Sequence, residues 1–525
     1  MRLDPATLPE NVEELKSLVV DLEDRYLSRI EYLEERVRLL TNELFGRSSE
    51  KRPQPEDPLQ LHLFNEAEVL CSEKPDTGEE DTLTVPEHRR KRPVRKPLPD
   101  HLPRVEVVHD ISEEEKICQC GVPMSRIGEE VCEKLDIIPA KVQVIRIIRP
   151  KYACKDGCQG VENEGSKVKI ALPPPEIIPK GIPTAGTLAY VATAKYADAL
   201  PLYRQEKIFS RYGVEISRST MASWMVMVAD RCKLLMLLFQ RALLAGLLVN
   251  ADETPVQVLN EPGRKNTSKS YMWVFRGGSP EKPVILFWYS TTRSAEVPLE
   301  VLDGFHGYLQ TDDFSAYEAL AGQTTRVGCF AHTRRYFVKV IDARGTAVKK
   351  KTGSAEVALE YIRKLYAIEK EAKEKGLSPG EIKKLRKEKA EPILEEFKAW
   401  MGGRIKVTPP KGLLGKALHY ALSNWHMLIR YLEDGNIPID NNAAENAIRP
   451  FVVGRKNFLF AGHPNGAHAA ATLYSLIETA KACGLEPYHY LRYIFEKIPY
   501  AKSEDDYRAL LPQRLSPDLL SQPVQ

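Results

Sequence analysis

Three acids stand where this sequence could do chemistry. Asp252 ends the apolar run LLVNAD, Asp312 ends GYLQTD, and Glu445 lies in IPIDNNAAENAIRP, which reads as the start of a helix. Carboxylates at the ends of buried strands are costly to gather, since two charges about 4 Å apart repel by roughly 4 kcal/mol at an effective dielectric near 20. A cation removes that cost. Hard divalent ions such as Mg2+ or Mn2+ take a few carboxylates and leave positions for water and phosphate, and a pair of them suits in-line phosphoryl transfer. The neighbours Glu253 and Asp313 leave the choice of residue open at the first two positions.

Glu445 also has a purely local reading. With Asn442 as the N-cap, it falls at the third helical position, where an acid closes a capping box. The chain continues as FVVGRKNFLFAG, so Arg449, Arg455 and Lys456 follow the acid closely. A phosphate partner accounts for the acid and the bases together, whereas an ion pair between Arg449 and Glu445, one turn apart, accounts for two residues only. In GCFAHTRRYF, His332 with Arg334 and Arg335 could steer a phosphate; equally, a lone histidine beside Cys329 and Phe330 could be a core residue with satisfied nitrogens.

A second constellation is made of thiols. ICQCG holds Cys118 and Cys120, and YACKDGC holds Cys154 and Cys158, on either side of a run whose Val142, Val144 and Ile147 read as strand. Two close pairs suit structural Zn2+, because each pair supplies one edge of a tetrahedron. The single residue between Cys118 and Cys120 is tighter than usual, and Cys132 is a substitute ligand. Nine cysteines in 525 residues are too sparse and odd in number for a disulfide framework, which fits a reducing compartment.

These residues need several elements to position them. The length suggests three or four domains. Residues 1–47 carry Leu15, Val19, Leu22 and Tyr26, then Ile30, Leu33, Val37, Leu40 and Leu44 after a four-residue skip, which reads as a coiled-coil seam with one stutter, the alternative being an amphipathic helix packed on its own chain. Residues 48–104 form a proline-rich, charged linker in which Arg89, Arg90, Lys91, Arg92, Arg95 and Lys96 run without an acid between them. Such a block is either a solvated tail or an arm along DNA phosphates. Residues 105–165 hold the cysteine pairs. From 184 to 245 the pattern is helical, with two helices split at Gly213 and Ser217 or Ser219 available as a cap, the outline of a helix-turn-helix or equally of a helical hairpin without DNA contacts.

LLVNADETPVQVL, SYMWVFRGG and PVILFWYS then read as strands, AEVPLEVLDGF as helix and GYLQTDDF as strand, giving a mixed α/β region over 246–345. Charged helices over 346–433 look like an insertion with a solvated face. GAHAAATLYSLIETAKACG, within 434–500, is apolar nearly all round and reads as a buried helix. Residues 501–525 read as a polar tail. The formal charge of +3 is too small to diagnose a nucleic-acid partner, which leaves that argument to the local clusters. No apolar run long enough to span a membrane and no signal peptide are visible, so the expected location is the cytoplasm, at the bacterial nucleoid.

YADALPLYRQEKI, ADETPVQVL, SYMWVFRGG, GYLQTDDFSAY, GCFAHTRRYF, IDNNAAENAIRPFVVGRKNFLFAG and YSLIETAKACGLEPYHYL together resemble the large transposase of the insertion sequence 66 family. The resemblance runs from the first helix almost to residue 500. It implies a ribonuclease-H-like catalytic core, split into 246–345 and 434–500, with Asp252, Asp312 and Glu445 as its Asp-Asp-Glu triad. It also implies a small zinc-binding domain, from whose pattern CQCG departs, action on element ends and target DNA, and two smaller proteins of the same element as partners. The coiled coil implies a homodimer or larger assembly. The expected activity is metal-dependent cleavage of the ends and transfer of their 3' hydroxyls to target DNA. The rival expectations are a silent regulator derived from such an enzyme, or a nuclease that never joins ends.

Overall fold

In the computed structural model, residues 11–45, 142–153, 168–344 and 353–521 are described. The basic block with Arg89, Arg90, Lys91 and Arg92 lies outside them, as do Cys118, Cys120, Cys154 and Cys158. The expected strand around Val144 is not formed: residues 142–150 have no regular secondary structure and Val142, Val144 and Ile147 are exposed. The strands of that neighbourhood are β1 (Lys151–Ala153) and β2 (Val168–Ile170), an antiparallel pair.

The first helix, α1 (Val12–Phe45), runs unbroken for 34 residues, so the four-residue skip does not interrupt it. Tyr32 packs against Gly412, while Val19, Tyr26, Ile30, Leu33 and Val37 of the apolar seam stay exposed. Four helices then follow: α2 (Ala185–Tyr196), α3 (Leu202–Arg211), α4 (Arg218–Arg231) and α5 (Lys233–Leu244). Between α3 and α4 the chain turns through Gly213 at φ +75°, a conformation that suits a residue without Cβ. Ser217 caps α4 by accepting from the Thr220 amide at 3.2 Å.

The sheet forms from the densest β-branched and aromatic runs. Its strands are β3 (Leu248–Gln257), β4 (Lys269–Gly278), β5 (Pro283–Ser290), β6 (Tyr308–Gln310) and β7 (Thr325–Val327), with α6 (Glu296–Val301) crossing between β5 and β6. The spatial order is β5-β4-β3-β6-β7; β3, β4 and β5 are antiparallel, and β6 and β7 run parallel to β3. β4 is buried on both faces, as a strand between two neighbours should be. β5 is an edge, and its outward amides are capped from a helix: Ser475 Oγ accepts from Phe287 N at 2.8 Å and Thr479 Oγ1 from Ile285 N at 2.9 Å. A covered edge cannot template pairing with another chain.

After the sheet come α7 (Phe330–Arg344), α8 (Ser354–Glu374), α9 (Pro379–Leu385), α10 (Glu391–Val407), α11 (Leu413–Ser423) and the short α12 (Trp425–Leu428). The charged helices are more than a solvated appendage. Phe330, Phe337 and Val340 of α7 share one core with Ala358, Ile362 and Leu365 of α8, Phe397 and Met401 of α10, and Leu418 of α11. Arg386, between α9 and α10, is 2% exposed; it pairs with Glu369 and donates to the carbonyls of Tyr431 and Asp434. The insertion is therefore locked to the chain that returns to the sheet.

That returning chain forms α13 (Asn442–Phe458), then α14 (Pro464–Ala482) and α15 (Pro487–Lys497). α14 is buried nearly all round, as its composition predicts, and packs on β5. α13 continues through Pro450, which leaves the Asn446 carbonyl without its helical donor; Phe451 and Val452 are buried and hold the turn in place. The end of the chain departs from the polar tail that composition suggests. It forms α16 (Glu504–Ala509) and α17 (Pro517–Ser521), and Leu510, Leu511, Leu515 and Leu520 are buried.

Candidate active site

Strand register brings the first two acids together. The parallel ladder between β3 and β6 ends at Asn250 opposite Gln310. Asp252 and Asp312 each lie two residues beyond that last pair, and side chains two apart in extended chain share a face. Asp252 is thus mid-strand rather than at a strand end: β3 goes on to Gln257, paired only with β4 there, where Asp252 stands opposite Val274. What ends beside it is the partner strand, which opens a gap in the sheet.

A buried amide network ties the third acid to that gap. Asn250, Gln310 and Asn441 are each at most 1% exposed. Asn250 Nδ2 donates to Gln310 Oε1 at 2.9 Å and to Asn441 Oδ1 at 3.0 Å, and Asn441 Nδ2 donates to the Ala251 carbonyl at 2.9 Å. Cys329 Sγ accepts from Asn441 N at 3.1 Å. Asn441 is the N-cap residue of α13, and Glu445 follows four residues on, about one turn along the helix. The insertion braces the same corner, since Tyr366 donates to Asp440 Oδ2 at 2.8 Å.

The capping-box reading of Glu445 does not hold. Its carboxylate turns away from its own helix start: Oε2 pairs with Arg335 of α7, while Oε1 is buried without a hydrogen-bond partner, 3.8 Å from His332 Nδ1. Arg449 is not its ion-pair partner and is exposed. His332 Nδ1 is likewise buried and unpartnered, and Arg335 Nη1 lies 3.1 Å from His332 Nε2. Burial, followed by the charge of Arg335, pushes the imidazole down to about 4, against the pull of Asp312, so it is neutral at neutral pH.

The four acids at the gap fall into two kinds. Burial first, then the charges of Glu253, Asp312 and Glu445, pushes the Asp252 carboxyl well above the usual range; its Oδ1 accepts from the Glu253 amide at 2.9 Å. Glu253 is instead held by side chains. Arg293 Nε donates to it at 2.7 Å and Tyr317 Oη at 2.8 Å, and the Arg293 guanidinium stacks 3.6 Å from the centre of the Phe314 ring. Burial, then the charge of Asp312, raises Glu253 to about 7. Asp312 Oδ1 accepts from Phe314 N at 3.1 Å, and Arg326 holds the Asp312 carbonyl at 3.0 Å, while Asp313 is exposed. Asp252 and Glu253 thus differ in their partners, and Asp312 and Asp313 in their burial.

Among the described residues, no group of three His, Cys, Asp or Glu side chains stands ready-made around a metal position. The donor set nevertheless fits a hard cation: three carboxylates whose charges reach one another, and one buried oxygen of Glu445 without a partner. Of the expected phosphate contacts, Arg449 and Lys456 are exposed, but Arg455 turns inward to donate to the Pro255 carbonyl and, at 3.2 Å, to Thr254 Oγ1. Sequence reasoning passes over Asn250, Gln310, Asn441, Arg293 and Tyr317. Only the NN pair at 441–442 marks one of them, and it reads as a cap.

Four family profiles match the chain. "Transposase IS66 family" matches residues 180–469, "IS66 C-terminal element" 475–513, "zinc-finger binding domain of transposase IS66" 115–158, and "Transposase C of IS166 homeodomain" 32–107. The zinc-finger match spans Cys118 to Cys158, and the last of the four covers the end of α1. Two proteins of Sinorhizobium fredii (strain NBRC 101917 / NGR234), y4qI and y4jD, are 32% and 31% identical to the chain, each alignment covering 99% of this chain and 100% of the relative. A third, y4hP, is 29% identical over 89% of this chain and 85% of its own length. With one profile spanning more than half of its length and relatives aligned end to end, the chain belongs to the IS66 transposase family.

Proposed function

We propose that this transposase cleaves the ends of its element and joins the freed 3' hydroxyls to target DNA, with Asp252, Asp312 and Glu445 as its catalytic acids. The observation that carries this reading is the shared register step: Asp252 and Asp312 lie two residues past the paired Asn250 and Gln310, with Asn441 tying the helix of Glu445 to β3 through Asn250 and Ala251. An order of β5-β4-β3-β6-β7, with a three-stranded antiparallel meander followed by two parallel strands, supports a ribonuclease-H-like core.

The three carboxylates would hold Mg2+ or Mn2+, which supplies positive charge at the attacked phosphate and lowers the cost of ionising water or a 3' hydroxyl. The chain's own residues do the rest. Asp252, disfavoured as an anion by burial and by its neighbours, would be eased into its charged form by a cation, and Glu253 stays tied to Arg293 and Tyr317, keeping the Asp312 loop in register. Glu445 would offer the cation its unpartnered Oε1, and Arg335, beside neutral His332, is placed to meet a phosphate oxygen. Arg449 and Lys456 extend the basic track along α13. Thiolates of Cys118, Cys120, Cys154 and Cys158 would hold structural Zn2+, and the basic run Arg89 to Arg92 and helices α3 and α4 would grip DNA. The open seam of α1 supports pairing of two copies, and the two smaller proteins of the element join that assembly.

The test is a supercoiled-plasmid assay with a donor carrying the DNA that flanks the coding region, run with Mg2+ or Mn2+. The expected products are cut ends and joined strands. Cutting without joining would make the protein a nuclease, and end binding without cutting would make it a silent regulator. Alanine at Asp252, Asp312 or Glu445 should abolish cutting and leave end binding in place.

A further inference from the structure

The far end of the sheet from the acids carries a strained, apolar corner that the proposed chemistry does not use. α13 ends at Leu459 with φ +66° and ψ −51°, and Phe460 N donates to the Phe458 carbonyl at 2.8 Å, closing a γ-turn. That turn in a branched, non-glycine residue is rare and costs energy. What it achieves is display: Leu459 is 65% exposed and Phe460 44%.

The corner is rigid. Val258 of the β3–β4 connection bridges Ala461, with Leu259 N donating to the Ala461 carbonyl at 2.8 Å and Ala461 N to the Gln257 carbonyl at 3.0 Å. Asn260 Nδ2 holds the Gly462 carbonyl at 3.0 Å, and Asn457 Nδ2 holds the Ala199 carbonyl at 3.1 Å. The two segments that form it are basic on balance, with Lys265, Lys269 and Lys456 exposed. Residues 258–269 and 455–466 contain Arg264, Lys265, Lys269, Arg455 and Lys456 against one acid, Glu261, which is buried and already paired with Arg264. An apolar corner set in a basic surface is complementary to a polyanion whose bases stack, and side chains of this kind enter base steps or receive unstacked bases.

We infer that Leu459 and Phe460 form a wedge against DNA bases, flanked by the phosphate contacts of the hairpin tip. The inference rests on the reading of the chain as a DNA-cutting transposase and adds a place. Both β3 and α13 lead from the acids to this corner: Asp252 to Val258 along the strand and Glu445 to Leu459 along the helix each span about 20 Å. The contacted step therefore lies about six base pairs from the cut phosphate, at 3.4 Å per step.

The experiment uses the full chain and a 40-base-pair duplex, either fully paired or opened by a two-nucleotide mismatch, with binding read by fluorescence anisotropy. Wild type should prefer the opened duplex on the order of tenfold, the value of one stacked base. Phe460→Ala should lose that preference, and 5-iododeoxyuridine in the opening should photocrosslink to the peptide holding residues 457–463. Leu459→Gly separates display from folding: it relieves the positive φ, so its melting temperature should hold or rise while the preference for the opened duplex falls. An unchanged preference in Phe460→Ala overturns the wedge but leaves the transposase reading standing. A sedimentation change in Phe460→Ala without DNA overturns it in favour of a protein-facing corner. Failure of wild type to bind either duplex overturns both readings.

Discussion

Two glutamates buried to the same degree, at opposite ends of the sheet, are treated in opposite ways. Glu261, in the β3–β4 connection, is 4% exposed; its Oε1 accepts from Ser270 Oγ at 2.5 Å and from Tyr289, and its Oε2 from Arg264 at 2.8 Å. Glu445 is 5% exposed, yet one of its oxygens has no donor, the histidine facing it has an orphan nitrogen, and the charges of Asp252 and Glu445 act on each other. Burial is therefore no mark of function. What sets Glu445 apart is that its unpartnered oxygen faces an unpartnered histidine nitrogen and neighbouring acids, an arrangement that a bound cation would complete.

Breaking each cluster should give effects of opposite sign. Asp252→Asn is expected to have the largest effect on activity, a loss of at least about a thousandfold in cutting, since it removes a charge used in phosphoryl transfer. The same change removes the cost of burying that carboxyl beside three other acids, so the metal-free protein should melt a few degrees higher than wild type. Glu261→Gln should do the reverse: it leaves the Arg264 guanidinium without its carboxylate and costs about 3 kcal/mol, read as a lower melting temperature, while cutting at permissive temperature persists. Calorimetry of the two variants beside the plasmid assay checks both signs. If Asp252→Asn melts below wild type, the contrast between the two clusters fails.

Asn441→Ala sits between those cases. It removes the donor to the Ala251 carbonyl and the acceptor for Asn250, so a loss of roughly 2 kcal/mol in stability is expected. Because the network positions acids rather than supplying them, cutting should fall while more divalent ion restores part of it. A loss of stability with unchanged ion dependence would reduce Asn441 to a core residue.

How far the sequence carries depends on whether a signal is local. The strands β3, β4 and β5 and helix α14 are legible because period and composition state which faces are covered. The order of strands is not, since the pairing of Asn250 with Gln310 joins residues distant in sequence and leaves no pattern in either run. The same holds for the site. Asp252 and Asp312 stand out at the ends of apolar runs, but what distinguishes Glu253 is its pairing with Arg293 and Tyr317, and what distinguishes Asp313 is its exposure, both chosen by the fold. Glu445 fits a local rule for helix starts so well that its pairing with Arg335, on another helix, could not be read. The tail misleads for the reverse reason: Leu510, Leu511, Leu515 and Leu520 are spaced widely among polar residues, and the surface that buries them is supplied by the rest of the chain.

The smallest expected effect sharpens the comparison at the basic end. Lys195 of α2 lies under the end of α13, its Nζ 4.8 Å from the centre of the Phe458 ring, and burial lowers it to about 8. A charged ammonium is disfavoured there, with ring faces as partial compensation. The sign follows from proton binding. Between the folded value near 8 and the ordinary value of 10.5, the unfolded chain holds more protons, so stability rises with pH across that window and the cost of burying the charge is constant below it. Lys195→Met should therefore raise the melting temperature by a degree or two at pH 7, with the gain shrinking towards zero as pH climbs from 8 to 10.5. A gain that stays flat through that range would mean that packing, and not the buried charge, separates the two side chains.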